Sequence, residues 1–133
     1  MPTLDEFRAF LLDRVDAFNR RDWAAMLDDL PERFKWHFPA EVVDRSAPAN
    51  PSELRAALDD LVSPLPDLKA EPLEIVEPAP NAFVVRLLAH GAGAASGASI
   101  RLELSQLWEF EDDVPLRVRE FTSFTEAVSE ARQ

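Results

Sequence analysis

The sequence predicts an α+β fold in which N-terminal helices pack against one curved, mostly antiparallel sheet. Two observations favour this class. Apolar residues recur at the helical period of about 3.6 in residues 4–20 and 51–62, and from residue 68 onward the period falls to two. Helices grouped before strands are typical of α+β packing, whereas α/β proteins alternate the two kinds of element. A sheet curved around helices encloses a cone with an apolar pocket, and such pockets often hold a ligand.

The composition indicates a single domain over residues 1–133, with 47% hydrophobic and 29% charged residues. A net charge of −11 argues against nucleic acids, whose binding depends on Lys and Arg neutralising phosphates, and against anionic membrane surfaces. No apolar run reaches the roughly 20 residues that a membrane-spanning helix needs. The N-terminus carries acids where a signal peptide would be basic. We therefore expect a cytoplasmic protein.

The residue types exclude several kinds of chemistry. Cys is absent, which excludes disulfides, thiolate nucleophiles and cysteine metal ligands. Tyr is also absent, so no phenol can donate to an oxyanion. The two histidines lie far apart, and the acidic pairs lack the spacing of metal ligands. We expect neither a metal nor an organic cofactor.

Three helices are predicted before the main strands. The first covers residues 4–20 and begins at a capping box that Thr3 opens. The second is short, covering residues 22–30, and a proline ends it. The third covers residues 51–62 and follows Asn50, a capping residue with proline at the first helical position.

Five strands are predicted, the first of them short and rich in aromatic residues. Their ranges are 34–38, 68–77, 82–90, 99–110 and 114–124. The last four form a meander whose turns contain Pro, Gly, Asn and Asp. Residues 39–50 are predicted to form a loop that could fold over the pocket, and a terminal turn of helix is predicted near Glu126.

Three sequence motifs support a family resemblance. They are Phe18-Asn19-Arg20-Arg21-Asp22-Trp23, Phe34-Lys35-Trp36-His37-Phe38-Pro39, and Ser105-Gln106-Leu107-Trp108-Glu109-Phe110 followed by Leu116-Arg117-Val118. With this order of elements, residues 5–130 resemble the SnoaL-like branch of the nuclear transport factor 2-like superfamily. The resemblance implies a cone-shaped fold and a homodimer that pairs through the outer face of the sheet. Members include polyketide cyclases, ketosteroid isomerases, limonene-epoxide hydrolases and dehydratases, and many others only bind ligands or dimerise.

The catalytic positions that the resemblance implies are all substituted here. The carboxylate before the strand-ending proline corresponds to Phe38, the tyrosine of the first helix to Arg14, and the protonated acid of the third long strand to Gln106. The ketosteroid isomerase mechanism is therefore disfavoured. No inward-facing carboxylate is evident in the sequence.

Two polar residues interrupt stripes that are otherwise apolar. Arg14 lies near the middle of the apolar side of the first helix, so its guanidinium either meets a fixed acid or anchors a ligand oxygen. Gln106 interrupts the buried face of the 99–110 strand, so its amide either makes a structural hydrogen bond or recognises a ligand.

His37 and Asp44 are the candidates for moving a proton. Histidine is the usual general base at neutral pH, although Trp36 and Phe38 share a face that sends His37 the other way. Asp44 lies in the 39–50 loop, where a solvated acid is the usual interpretation. The residues expected to contact a ligand are Phe18, Trp36, Phe38, Val85, Leu87, Leu104, Gln106 and Trp108.

Two functions are compatible with these residues. One is an enzyme-like pocket for a small hydrophobic, oxygenated molecule, with cofactor-free isomerisation, cyclisation or hydration. Arg14 and Gln106 would then polarise an oxygen. The alternative is a non-catalytic ligand-binding or dimerisation module, which the lack of an evident carboxylate favours.

Overall fold

The computed structural model describes residues 2–39, 48–92 and 99–133. The elements in chain order are α1 Leu4–Asn19, α2 Trp23–Leu27, β1 Lys35–His37, α3 Pro51–Val62, β2 Lys69–Ala79, β3 Ala82–Ala92, β4 Ser99–Glu111, β5 Val114–Phe121 and α4 Phe124–Ala131. The predicted α+β class and the order of its elements are confirmed.

The helix starts follow from local sequence. The Thr3 side chain accepts a hydrogen bond from the backbone N–H of Glu6 at 3.1 Å, and the Glu6 carboxylate accepts from the Thr3 N–H at 3.0 Å. Asn50 accepts from the N–H of Glu53 at 2.9 Å and caps α3 in the same way. These side chains occupy backbone donors that have no partner inside the helix.

The five strands form one mixed sheet with the order β1-β5-β4-β3-β2. The strands β2 to β5 are an antiparallel meander, and only the short β1 is parallel to its neighbour, with Trp36 opposite Val118. Two tight turns have residues in the left-handed region, Asn81 at φ 64° and Asp112 at φ 55°. Asn and Asp tolerate this conformation better than other side chains do.

The inner face of the sheet, which carries Trp36 and Trp108, packs against α1. Phe7 of α1 is fully buried and stacks on Phe83 of β3, with ring centroids 4.3 Å apart and planes 4° apart. Phe110 meets both rings edge-on. This aromatic cluster closes one end of the space between helices and sheet.

The end of the chain differs from its prediction. The fifth strand stops at Phe121 rather than at residue 124, and α4 is two turns long rather than one. Ser123 caps α4 by accepting from the N–H of Glu126 at 3.2 Å. The helix packs on the outer face of the sheet, opposite α1, where Ala127 lies against Val84 and Leu107. The predicted terminal turn is therefore a full helix with an apolar side of its own, and it covers the face of the sheet opposite α1.

Charged side chains that alternate along the outer face form cross-strand ion pairs. Arg86 of β3 pairs with Glu103 of β4 at 2.8 Å. The carboxylate of Glu109 on β4 pairs with two cations of β5, Arg117 at 2.7 Å and Arg119 at 3.0 Å. The more exposed pair, Arg86–Glu103, contributes little to stability because solvent screens it. Within the described residues, no helix combines the length and the apolar character that crossing a membrane requires.

Candidate functional site

A cavity of about 120 Å³ lies between the helices and the inner face of the sheet. Among the described residues, its wall is apolar except for the side chains of Arg14, Gln106 and Glu120 and the indoles of two tryptophans. Cavities of about 150 Å³ hold a benzene ring, so this one suits a molecule of about one ring.

Most of the residues expected to contact a ligand line this cavity. They are Phe18, Trp36, Phe38, Leu87, Leu104, Gln106 and Trp108. Val85 does not line it. Val85 shares the inner face of β3 with Leu87, as the alternation predicts, but it is fully buried in the core. The face is predicted correctly, but core side chains cover Val85 at this position.

Glu120 on β5 is a candidate functional residue that sequence reasoning missed. It lines the cavity and lies directly opposite Gln106 in the β4–β5 register. A signal was available, because the alternation that sends Arg117 and Arg119 outward sends Glu120 inward. The inference that this domain lacks an inward carboxylate is therefore wrong.

The Glu120 carboxyl lies in a desolvated environment, although its side chain keeps some exposed surface where it borders the cavity. Burial raises the pKa of Glu120 above the ordinary range of glutamate, because the charged form loses water. The hydrogen bond from Gln106 and the nearby N–H of Trp36 oppose part of this rise. The Trp36 nitrogen itself is buried without a hydrogen bond of ordinary geometry.

Gln106 connects a tryptophan to this carboxyl. The indole N–H of Trp108 donates to Gln106 Oε1 at 3.0 Å, and Gln106 Nε2 donates to Glu120 Oε2 at 2.9 Å. The buried amide therefore has partners for both its oxygen and its nitrogen, as buried amides require.

Arg14 also borders the cavity, but its charge is already paired. The side chain is 7% exposed, and its two terminal nitrogens donate to the carboxylate of Asp29 at 2.6 and 2.5 Å. It also donates to the carbonyl of Met26 at 2.6 Å and lies over the ring of Phe10. The hydrogen bonds from Arg14 lower the pKa of Asp29. Of the two alternatives for Arg14, the geometry supports pairing with a fixed acid.

The remaining candidates do not form part of the described cavity wall. His37 lies on β1 in register with Arg119, among the charges of the outer face. Burial and the neighbouring cations Arg117 and Arg119 lower the pKa of His37, which favours the neutral imidazole. His37 does not line the cavity, because a regular strand turns its side chain away from that of Trp36. Asp44 lies outside the described residues.

A family comparison agrees with this geometry. Residues 11–118 match the family model of the SnoaL-like domain. The chain belongs to the SnoaL-like domain family. The matched segment of this SnoaL-like domain contains most of the cavity wall, and Glu120 lies just beyond its end. No curated protein sequence matches the chain with statistical significance.

Solved structures share the fold of this SnoaL-like domain. A nuclear transport factor 2-like protein of unknown function from Burkholderia pseudomallei has a TM-score of 0.72 at 19% identity, covering 90% of this chain and 92% of that one. A candidate SnoaL-like polyketide cyclase from a Jannaschia species has a TM-score of 0.72 at 16% sequence identity, and the match covers 91% of this chain and 88% of that one. A third structure is a protein with a ketosteroid isomerase-like fold from Catenulispora acidiphila, in complex with trimethylamine. Its TM-score is 0.72 at 5% sequence identity, and the match covers 92% of this chain and 91% of that one. Identities this low show the fold alone.

The described residues contain no group of three His, Asp or Glu side chains that could hold a metal ion. The polar chemistry of their cavity wall is therefore that of one carboxyl, one amide, two indoles and a paired guanidinium.

Proposed function

We propose that this SnoaL-like domain binds a small, hydrophobic, oxygenated molecule and moves a proton on it with the carboxyl of Glu120, without a cofactor. The observation that carries the proposal is Glu120 itself. It is the one carboxyl on the described cavity wall, and it is surrounded by apolar side chains. Titratable groups desolvated in a pocket are candidates for catalysis.

The environment of Glu120 suits acid–base chemistry near neutral pH. A raised pKa makes the carboxylate a stronger base and lets the carboxylic acid persist closer to pH 7. The hydrogen bond from Gln106 holds one carboxyl oxygen in place and leaves the other for a substrate. The apolar wall excludes water that would otherwise solvate the charge.

The proposed reaction begins at a carbon next to a carbonyl. The Glu120 carboxylate takes a proton from that carbon, and the electron pair of the C–H bond passes into the enolate. In a β,γ-unsaturated substrate, return of the proton from Glu120 to the γ-carbon of the dienolate would complete an isomerisation. Attack by the enolate carbon on a second carbonyl, with the proton on Glu120 passing to the alkoxide that forms, would complete a cyclisation. The N–H of Trp36 lies near the carboxyl and would donate a hydrogen bond to the enolate oxygen.

Proton exchange in D₂O tests this proposal without knowledge of the natural substrate. We expect the protein to accelerate deuterium incorporation beside the carbonyl of cyclohexanone, a probe of one ring, as followed by proton NMR. Glu120→Gln should abolish the acceleration. Glu103→Gln makes the same chemical change on the outer face and should retain it. Full acceleration by Glu120→Gln would contradict the proposal.

The alternative is a non-catalytic ligand-binding module. The Arg14–Asp29 pair favours it, because the described wall then holds no free cation to stabilise an enolate. Binding of cyclohexanone without any acceleration of exchange in the wild-type protein would select this second function.

A further inference from the structure

We propose that Trp108 is a positioning residue that locks the amide of Gln106 and thereby decides which oxygen of Glu120 can carry a proton. The inference rests on the proposed function for its catalytic meaning, since Glu120 is the group that it serves. We call this hydrogen-bonded arrangement of Trp108, Gln106 and Glu120 the lock. It can be tested without any substrate.

The backbone of the sheet fixes the positions of these three residues. Trp108 and Gln106 are two residues apart on β4, so they share the inner face. Gln106 and Glu120 are register partners across β4 and β5. No loop contributes to the arrangement, so its geometry depends only on strand pairing and on packing of the rings.

The tryptophan is itself held in place. Trp108 is 2% exposed, and its ring meets Phe10 edge-on at 5.4 Å and Trp36 at 5.9 Å between centroids. The indole therefore cannot turn its N–H elsewhere without repacking the aromatic cluster. Its N–H stays directed at Gln106 Oε1 at 3.0 Å.

The direction of the chain of hydrogen bonds follows from the donor types. An indole N–H can only donate, so the amide atom that faces Trp108 must be the oxygen. The amide nitrogen must then face Glu120, and it can only donate. The carboxyl oxygen Oε2 is consequently an acceptor in every protonation state, and a proton on Glu120 resides on Oε1.

The lock therefore acts on the acid–base balance of the carboxyl. A fixed N–H donor favours the ionised form, against the desolvation that favours the neutral form. An amide free to turn could instead present its oxygen, which accepts a hydrogen bond only from a protonated carboxyl. The other charged side chain on the described cavity wall, Arg14, is neutralised by Asp29 and gives no competing control.

The test removes one hydrogen and keeps the shape of the ring. Trp108 is replaced by 3-benzothienylalanine, in which sulfur takes the place of the N–H group. The pKa of Glu120 is then followed by NMR of the carboxyl carbon in protein labelled at glutamate. We expect the pKa to rise by about one pH unit, the size of one hydrogen bond to a charged group. Gln106→Leu, which removes the donor entirely, should raise it at least as much.

The chain offers a matched control in Trp23, whose N–H donates to Asp59 at 3.3 Å outside this chain of hydrogen bonds. The same replacement at Trp23 should leave the pKa of Glu120 unchanged. If the Trp108 protein does not fold, Trp108→Phe is measured instead. An unchanged or lowered pKa at Glu120 would overturn the lock. Failure of the lock and failure of the proposed function are distinguishable. Deuterium exchange tests whether the Glu120 carboxyl is catalytic, whereas the titration tests only whether Trp108 controls the hydrogen bond that this carboxyl accepts.

Discussion

Gln106 on β4 and Glu120 on β5 lie directly opposite each other, and their side chains are hydrogen-bonded at 2.9 Å. A polar cross-strand pair on a buried face helps to specify the register, because a slip of one residue would put the two side chains on opposite faces of the sheet. The same pair gives the apolar cavity its carboxyl. Strand pairing and the candidate chemistry thus depend on one contact.

Titration of Glu120 should make stability fall as pH rises. Its pKa is raised in the folded protein, so between the unfolded and the folded pKa the folded state binds more protons. The free energy of unfolding therefore decreases as the pH rises through that window. Glu120→Gln removes this titrating group. The free energy of unfolding of the variant, relative to that of wild type, should therefore increase from acid to neutral pH. Urea unfolding at a series of pH values measures this, and a pH-independent difference would contradict it. Glu103→Gln is the control for loss of a surface carboxyl.

The Arg14–Asp29 pair should stabilise the fold rather than bind a ligand. Asp29→Ala leaves a buried guanidinium without its anion and should lower the free energy of unfolding by about 1–3 kcal/mol. The lower end is expected because solvent reaches the Asp29 side of the pair. Adding Arg14→Met should recover most of the loss, since methionine fills the apolar space without a charge. Arg14→Met alone should leave the affinity for cyclohexanone unchanged, and a loss of affinity would restore the anchoring role.

The same pair should respond to acid. Because Arg14 lowers the pKa of Asp29, the stability that the pair contributes is present above the unfolded pKa of aspartate and is lost as pH falls through the folded one. The unfolding free energies of wild type and Asp29→Asn should therefore converge at low pH. A difference that persists there would show that the carboxylate charge is not what stabilises the pair.

The contact between Phe7 and Phe83 should be a large source of stability. Phe7→Ala removes a fully buried ring from a stack and should cost about 3–5 kcal/mol. Leu12→Ala lies on the same helix with 49% of its residue surface exposed and should cost less than about 0.5 kcal/mol. Denaturant unfolding of both variants measures the contrast. Equal losses would show that α1 does not pack through this stack.

The protein is predicted to be a homodimer that pairs through the part of the outer face left open by α4. That face carries ion pairs such as Arg86–Glu103 beside buried apolar positions. Light scattering at tens of micromolar should give twice the chain mass of 15.0 kDa. A mass of one chain would remove the dimer prediction and leave the fold and the site unaffected.

Much of the secondary structure was predictable because its signals are local. The side chains of Thr3 and Asn50 cap α1 and α3, as the local sequence predicts. Strand alternation correctly places Trp36, Leu87 and Gln106 on the inner face. The same rule, applied to β5, would have found Glu120.

Contacts between elements were not predictable in this way. The sequence contains acids at many positions, and nothing local selects Asp29, fifteen residues along the chain, as the partner of Arg14. The selection depends on how α1 docks beside the end of α2. Similarly, the apolar side of α4 is visible in the sequence, but the face of the sheet that it covers depends on where β5 ends.

The sequence by itself therefore determined the elements, their order and the face on which each strand residue lies, because hydrogen bonds and side-chain periods over a few residues decide these properties. The tertiary structure alone decided which side chains meet. It brought Glu120 to Gln106, directed the N–H of Trp108 at the same amide, and removed the charge of Arg14 from the cavity. Such meetings depend on strand register and helix docking, which sum many weak contacts between distant parts of the chain.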